Sequence, residues 1–397
     1  MKRYNKSTPD GTRDLLFEEC EARDEAVFRL TAMFRSRGYR QVMTPAIEFY
    51  DVFGSSGTYF PQENMYKLTD NRGRLMVMRP DCTIPIARLA ATRLTAMPMP
   101  LRLYYSQNVY RMGHDERGKR DEIFQTGVEL IGSNSLRSDL EIVELAASGL
   151  SDLNGESFRL EICHIGYFRA LIDSLDTDDA TKEEIRQSVE QKNYAALNDL
   201  LEQFGSSKAA AALKYLPRLF GGEEVFEKAY SLFDENGAKE SLDYLKSIYE
   251  DLCQLELEDR VLIDLGLVNQ AEYYTGIIFR GYLDGIGEPV LSGGRYDNLI
   301  HDFGVSLSAT GFAVTVDLVT GAVGHPAQKV PDILVFADEN HLPQAINYIK
   351  SLAQNGLTVE NCVLDDFEAA ADYARRRGIA QLHVVDDEIE LIDVDTL

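Results

Sequence analysis

Long apolar runs are the first thing this 397-residue sequence lacks. No stretch approaches the roughly 18 apolar residues of a membrane span, and the opening MKRYNKSTPDG has no apolar core of the kind that marks a secretory leader. Both absences point to a soluble protein of the cytoplasm. Cysteine is scarce as well: Cys20, Cys82, Cys163, Cys253 and Cys362 are odd in number and far apart, with no close-set pair for a metal or a redox disulfide. They read as buried thiols. The six histidines are dispersed, so no metal site and no cofactor is expected. Positive charge is in deficit, at 40 Lys and Arg against 65 Asp and Glu. A net charge of -25 opposes a nucleic-acid backbone unless a local basic face exists, which weighs against RNA handling. Internal repeats and low-complexity tracts are also missing.

What is present is 45% apolar content, enough to bury a large core and to divide into two or three. Residues 18–37 carry Val27, Leu30 and Phe34 at helical spacing and stop before Gly38, which predicts an amphipathic helix with a glycine C-cap. GYRQVMTPAIEFYDVF reads as a strand broken at Pro45, a residue suited to a sheet margin or a subunit contact. Residues 75–79 predict a short strand feeding RPDCTIPIARLAATRL, where Thr83 caps a helix with Pro85 in its first turn. Asp81 and Thr83 then stand at a strand-to-helix junction. Ser138 and Glu141 predict a capping box for a helix to about Leu150, and FRLEIC alternates as a strand.

Over residues 181–258 the texture becomes rich in Ala, Leu, Glu and Lys, with Thr181 and Glu184 as a second capping box, and predicts a helical insertion. Strand-like runs resume at residues 261–264 and in AEYYTGIIFRGY, EPVLSGG and ATGFAVTV, with RYDNLIHDFG read as a helix between them. This order predicts an α+β domain over residues 1–323, a mainly antiparallel sheet flanked by helices. Residues 324–329 read as a linker. Residues 330–397 alternate strand and helix as a small α/β domain. From His325 onward there are 14 acidic and 5 basic side chains. Three of the basic ones, Arg375, Arg376 and Arg377, stand just before Gly378 and complement a helix C-terminus rather than a nucleic acid.

Candidate site residues are densest in residues 101–132, LRLYYSQNVYRMGHDERGKRDEIFQTGVELIG, which read as a long hairpin. Leu101, Leu103 and Tyr105 alternate toward Arg111, a loop of mixed charge follows, and on the return run Ile123, Gln125, Gly127 and Glu129 share one face. An amide and a carboxylate inside an apolar strand need partners, and either neighbouring strands or a small polar ligand supplies them. His114, in the loop, reads as a solvated residue rather than a general base, because spacing gives it no carboxylate partner. SGGRYD is not a phosphate loop; its glycines let the backbone pass close to a pocket floor. Arg295 and Tyr296 either line that pocket or, for the arginine, form a structural salt bridge.

Taken in order, TPDGTRDL, GYRQVMTPAIE, RPDCTIPIAR, VYR followed by FQTGVELIG, AEYYTG, SGGRYDNLI and TGFAV resemble the histidyl-tRNA synthetase family, a class II aminoacyl-tRNA synthetase fold. The resemblance spans residues 7–323 apart from the insertion. It implies an antiparallel six-stranded sheet, a dimer contact around Pro45 and a pocket that takes histidine. Asp81 matches the acidic group near the ligand's amine, with Thr83 and Gln125 beside it. Glu129 and Tyr274, with Tyr273 adjoining, match the groups that read the imidazole. A carboxylate suits an ammonium, and glutamate accepts an imidazole N–H while a tyrosine hydroxyl serves the other nitrogen. Asp81 is a shorter carboxylate than the glutamate of the family.

The nucleotide half of the pattern departs from the family. Arg111 holds the motif-2 position, but the motif-3 arginine falls on Leu318 and a further arginine falls near Asn269. In the motif-2 loop an acidic position falls on Gly113 and a basic one on Asp121. Adenylate formation needs cations around the ATP phosphates. Each lost charge-assisted contact is worth roughly 1.5–3 kcal/mol, so two losses and an added carboxylate abolish useful turnover. The combination resembles a noncatalytic branch, the regulatory subunits of ATP phosphoribosyltransferase. It implies no catalytic residues, a short-form ATP phosphoribosyltransferase catalytic subunit as partner, a homodimer within a larger hetero-oligomer, histidine as feedback ligand and no tRNA. The terminal domain then resembles a shortened anticodon-binding domain. Two other readings stand beside this one: a working histidine–tRNA ligase with cations supplied from elsewhere, and a stand-alone histidine sensor.

Overall fold

The computed structural model describes residues 5–54, 60, 62–113, 120–155, 157–268, 273–322, 324 and 330–396. Helix α1 (Glu18–Ser36) buries Ala22, Ala26, Leu30 and Phe34, one apolar stripe at intervals of four. It stops before Gly38, whose φ of 83° suits glycine. Pro45 then splits the following segment between two sheets. Strand β1 (Arg40–Gln41) joins the edge of the large sheet, whereas β2 (Ile47–Phe49) belongs to a small one. After α2 (Asp51–Gly54), β3 (Lys67–Thr69) and β4 (Leu75–Met78) complete that small sheet in the order β2-β4-β3. Helix α3 (Thr83–Arg93) follows directly. Its expected cap by Thr83 does not form: the Ile84 N–H donates to Asp81 Oδ1 at 2.8 Å, leaving the Thr83 hydroxyl for another partner.

Strands β5 (Leu101–Tyr110) and β6 (Glu122–Ile131) make the expected hairpin, in register from Leu101 opposite Ile131 to Tyr110 opposite Glu122. Helix α4 (Leu136–Asn154) and β7 (Phe158–His164) come next. Ser138 and Glu141 do not form a capping box. The Ser138 hydroxyl donates to the Ser135 carbonyl at 2.6 Å, and Glu141 accepts from Arg102 at 2.8 and 2.7 Å and from Tyr39 at 2.9 Å. Helix α5 (Ile165–Asp173) follows β7, and the stretch expected as a helical insertion, residues 181–258, holds α6 (Asp179–Glu190), α7 (Tyr194–Glu202), α8 (Lys208–Tyr215), the short strand β8 (Phe220–Gly221), α9 (Glu224–Leu232) and α10 (Ala238–Gln254). Helix α6 is capped not by Thr181 with Glu184 but by Asp178, which accepts the Thr181 N–H at 2.8 Å.

Strands β9 (Val261–Asp264), β10 (Ile277–Leu283), β11 (Leu291–Arg295) and β12 (Ala309–Thr315) complete a nine-stranded sheet ordered β1-β5-β6-β12-β11-β10-β7-β9-β8. The run from β5 to β7 is the antiparallel six-stranded sheet that the resemblance implies. Short strands extend it at both margins, and β1 and β9 pair in parallel with β5 and β7. The stretch RYDNLIHDFG is not an α-helix; it holds one tighter 3₁₀ turn, Leu299–Phe303. Helix α11 (Val316–Val319) ends this part of the chain.

The chain divides into two compact units, residues 1–325 and 326–397. Most of the expected linker lies outside the described residues. The second unit contains β13 (Ile333–Ala337), α12 (Leu342–Gln354), β14 (Val359–Asn361), α13 (Phe367–Arg377), β15 (Gln381–Val385) and an unforeseen antiparallel edge strand, β16 (Ile389–Asp393). Its sheet runs β14-β13-β15-β16. Arg375, Arg376 and Arg377 occupy the last turn of α13, closed by Gly378 at φ 72°, as the charge pattern predicted.

Candidate functional site

Strand pairing assembles the site in the middle of the large sheet. Gln125 stands opposite Thr315 and Glu129 opposite Gly311, so positions 125, 127 and 129 share a face with 311, 313 and 315. Around that face lie the start of α3, Arg111 just beyond β5, and Tyr273 and Tyr274 ahead of β10. Together they enclose a cavity of about 360 Å³. Asp81, Thr83, Gln125, Glu129, Tyr273 and Tyr274, the residues that the resemblance gives to histidine, all line it, and so does Arg111. Tyr296 lines it too. Arg295 does not: its guanidinium pairs with the buried Asp139 at 2.8 Å, the salt-bridge alternative. Phe60, Asn64, Ser292 and Thr315 also contribute to the walls and were not foreseen.

Glu129 is 1% exposed and is held at both oxygens. Thr83 Oγ1 donates to Oε1 at 2.8 Å, and the Tyr296 hydroxyl donates to Oε2. Burial pushes the Glu129 carboxyl up to about 8; the two hydroxyls pull it down and the charge of Asp81 raises it further. The fit is close enough to require glycine at 311, where a Cβ would stand 2.1 Å from Glu129 Oε2. Glycine at 294 is needed in the same way, since a Cβ there would meet the Tyr274 ring at 2.7 Å. The Tyr273 ring lies 4.7 Å from that of Tyr274 and 5.8 Å from that of Tyr296, centroid to centroid, which makes an aromatic wall. Gln125 is buried, and its amide has no hydrogen-bond partner among the described residues.

At the other end, burial raises the Asp81 carboxyl, while the Ile84 N–H and the Arg111 charge oppose that rise. Arg111 donates through Nε to the Pro80 carbonyl at 2.7 Å and lies over the Phe60 ring at 5.6 Å. Its terminal nitrogens have no hydrogen-bond partner among the described residues. It is also the one cation among the described residues that line the cavity. Two carboxylates, an unpaired amide and one guanidinium suit a small zwitterion that carries a further N–H group.

The positions where the family pattern wants charge are used otherwise. Leu318, on α11, packs half-buried against the main apolar core. Its neighbour Asp317 accepts the Phe124 N–H at 2.8 Å and pairs with Arg120 at 3.3 Å, tying α11 to β6. The Asp121 carboxylate accepts from the Tyr66 hydroxyl and from the Gly113 N–H at 3.1 Å, which closes the open end of the hairpin. Asn269 and His114 lie outside the described residues. Among the described residues no cluster of His, Cys, Asp and Glu forms a metal site.

A pocket of this make-up on the face of such a sheet is the histidyl-tRNA synthetase-like form of the class II fold, and a family model described as "Histidyl-tRNA synthetase" matches residues 11–319. Within that fold, the chain belongs to the family of ATP phosphoribosyltransferase regulatory subunits. It is 37% identical to the ATP phosphoribosyltransferase regulatory subunit of Clostridium botulinum (strain Langeland / NCTC 10281 / Type F), over 96% of this chain and 92% of that one. It is 38% identical to the same subunit of Clostridium kluyveri, over 97% of this chain and 100% of the other. A solved structure from Bacillus halodurans C, described as an ATP phosphoribosyltransferase regulatory subunit/histidyl-tRNA synthetase, superposes with a TM-score of 0.84 at 31% identity, covering 94% of this chain and 97% of that one.

Proposed function

We propose that the chain serves as the noncatalytic regulatory subunit of ATP phosphoribosyltransferase in histidine biosynthesis. It complements a short-form catalytic subunit, binds histidine in the cavity and takes part in histidine feedback. The observation that carries this reading is the division of the pocket. Glu129, Asp81 and Gln125 converge on a space for an amino acid, while Arg111 is the one described lining cation and Leu318, where the family pattern has its motif-3 arginine, packs against the apolar core. Glu129 takes an imidazole N–H, Asp81 the ammonium, and the terminal nitrogens of Arg111 remain for the carboxylate. The apolar side chains exposed around Pro45, at Met43, Ile47 and Phe49, support a homodimer through this margin.

The deciding experiment is phosphoribosyl transfer by the short catalytic subunit with and without this chain, then with histidine added. Activation followed by inhibition is expected; unaltered activity in both arms would sink the proposal. The match to a histidyl-tRNA synthetase model favours a second reading, a working ligase. Pyrophosphate exchange with histidine and ATP separates the two, and robust exchange would establish the ligase. Histidine at a hundred times its dissociation constant is expected to stabilise the chain by about 2.7 kcal/mol. Glu129→Ala is expected to remove that gain in a thermal melt.

A further inference from the structure

A chain of buried and half-buried polar groups runs from the helical insertion to the back of the pocket wall. Tyr244, on α10, donates its hydroxyl to Asp139 Oδ2 at 2.6 Å. The His164 ring packs edge-on against Tyr244 at 5.5 Å between centroids. Asp139 is 0% exposed and accepts Arg295 Nε at 3.0 and 2.9 Å and Nη2 at 2.8 Å. The other N–H groups of Arg295 reach Ser138 Oγ at 2.9 Å, the Ser133 carbonyl at 3.0 Å and Asp297 Oδ1 at 3.0 Å, so every direction of the guanidinium has an acceptor.

On the pocket side, the same arginine sits between two lining tyrosines. Its carbonyl accepts the Thr275 N–H at 2.7 Å, next to Tyr274. The residue that follows it is Tyr296, whose hydroxyl rests on Glu129. Asp297 completes the clasp: its carboxylate accepts the Thr275 hydroxyl and its N–H donates to that hydroxyl, both at 3.0 Å. A buried ion pair adds little net stability once the desolvation of both charges is counted, but it holds its partners in one geometry.

We propose that Tyr244, Asp139 and Arg295 are positioning residues for the amino-acid pocket, so that the packing of α10 sets how Tyr274 and Tyr296 meet the ligand. This rests on the histidine reading above and adds that the insertion, which contributes no lining residue, is coupled to the site. Loss of the Tyr244 hydroxyl leaves the Asp139–Arg295 pair intact and unburdened by an unpaired charge, yet detaches it from α10. Coupling is reciprocal: if α10 orders the pocket, a filled pocket orders α10.

The test is calorimetric titration of histidine into the full chain, its Tyr244→Phe variant and a Tyr230→Phe control, with hydrogen exchange followed along α10. Tyr230 donates to Asp243 at 2.7 Å on the exposed side of the same insertion, so the control removes the same group away from the buried chain. Tyr244→Phe is expected to weaken histidine about fivefold to tenfold, and Tyr230→Phe to bind as the parent does. Histidine should slow exchange along α10 in the parent and not in Tyr244→Phe. A merely structural role would lower the melting temperature of Tyr244→Phe but leave its affinity and its ligand-induced protection unchanged, and that result overturns the proposal alone. A parent chain that fails to bind histidine overturns the pocket reading and this one with it. If Tyr244→Phe does not fold, the parent decides: binding without protection of α10 overturns the coupling.

Discussion

The Glu129 carboxyl, enclosed by Thr83, Tyr296 and the nearby Asp81, keeps its proton up to about pH 8 when no cation faces it. Its ordinary value is 4.5, so through the interval from there to about 8 the folded chain holds a proton that the unfolded chain has released. Stability of the ligand-free protein is therefore expected to fall as pH rises through that window. Glu129→Gln should flatten this slope, which thermal melts between pH 5 and 8 will read. Tyr296→Phe removes one of the two hydroxyl donors, and a hydrogen bond to a charged group is worth roughly 1.5–3 kcal/mol. Histidine affinity measured by calorimetry is expected to drop at least tenfold. Much of this site was legible in the sequence, because Gln125 and Glu129 break an apolar strand at a period of two. The role of Arg295 was open because SGGRYD offered arginine and tyrosine together and the arginine suited either the pocket or a salt bridge. Strand alternation settles it: Ser292, Gly294 and Tyr296 share the pocket face, and Arg295 points the other way. Nothing in the sequence marked Phe60 and Asn64, which reach the cavity from some sixty residues upstream of Gln125, Asn64 from the 3₁₀ turn Gln62–Asn64.

Apart from RYDNLIHDFG and β16, helix and strand placement followed from periodicity, whereas helix starts did not. Three capping assignments rested on hydroxyls, and in two of them an upstream aspartate accepts the N–H instead: Asp81 for α3 and Asp178 for α6. At the third, long-range partners of Glu141 win over the local box. Cap spacing describes only the local competition, and tertiary partners decide it. Strand β16 escaped notice because acidic residues interrupt its alternation, which an edge strand tolerates. Pro45 was legible as a margin, and the structure gives that a sharper form: it parts β1 and β2 into separate sheets, with Ile47 and Phe49 facing outward. If the dimer forms there, replacing both with aspartate is expected to yield monomers in analytical ultracentrifugation. An unchanged sedimentation coefficient would place the contact elsewhere.

For the molecule as a whole, the six antiparallel strands that carry the pocket are the part most fully anticipated, and the edge strands the least. The difference is physical. Central strands announce themselves by runs rich in apolar residues because both their faces are packed, while two-residue edges such as β1 and β8 leave almost no pattern. The aromatic wall has an optical consequence. The chain contains 20 tyrosines and no tryptophan, so its near-ultraviolet absorption is dominated by tyrosine, and three of those rings crowd one cavity. Phe60→Trp would place the molecule's single indole in that cavity, beside the Arg111 guanidinium. Its emission is expected to shift when histidine enters, and stopped-flow mixing would then give the rate at which the pocket fills and empties.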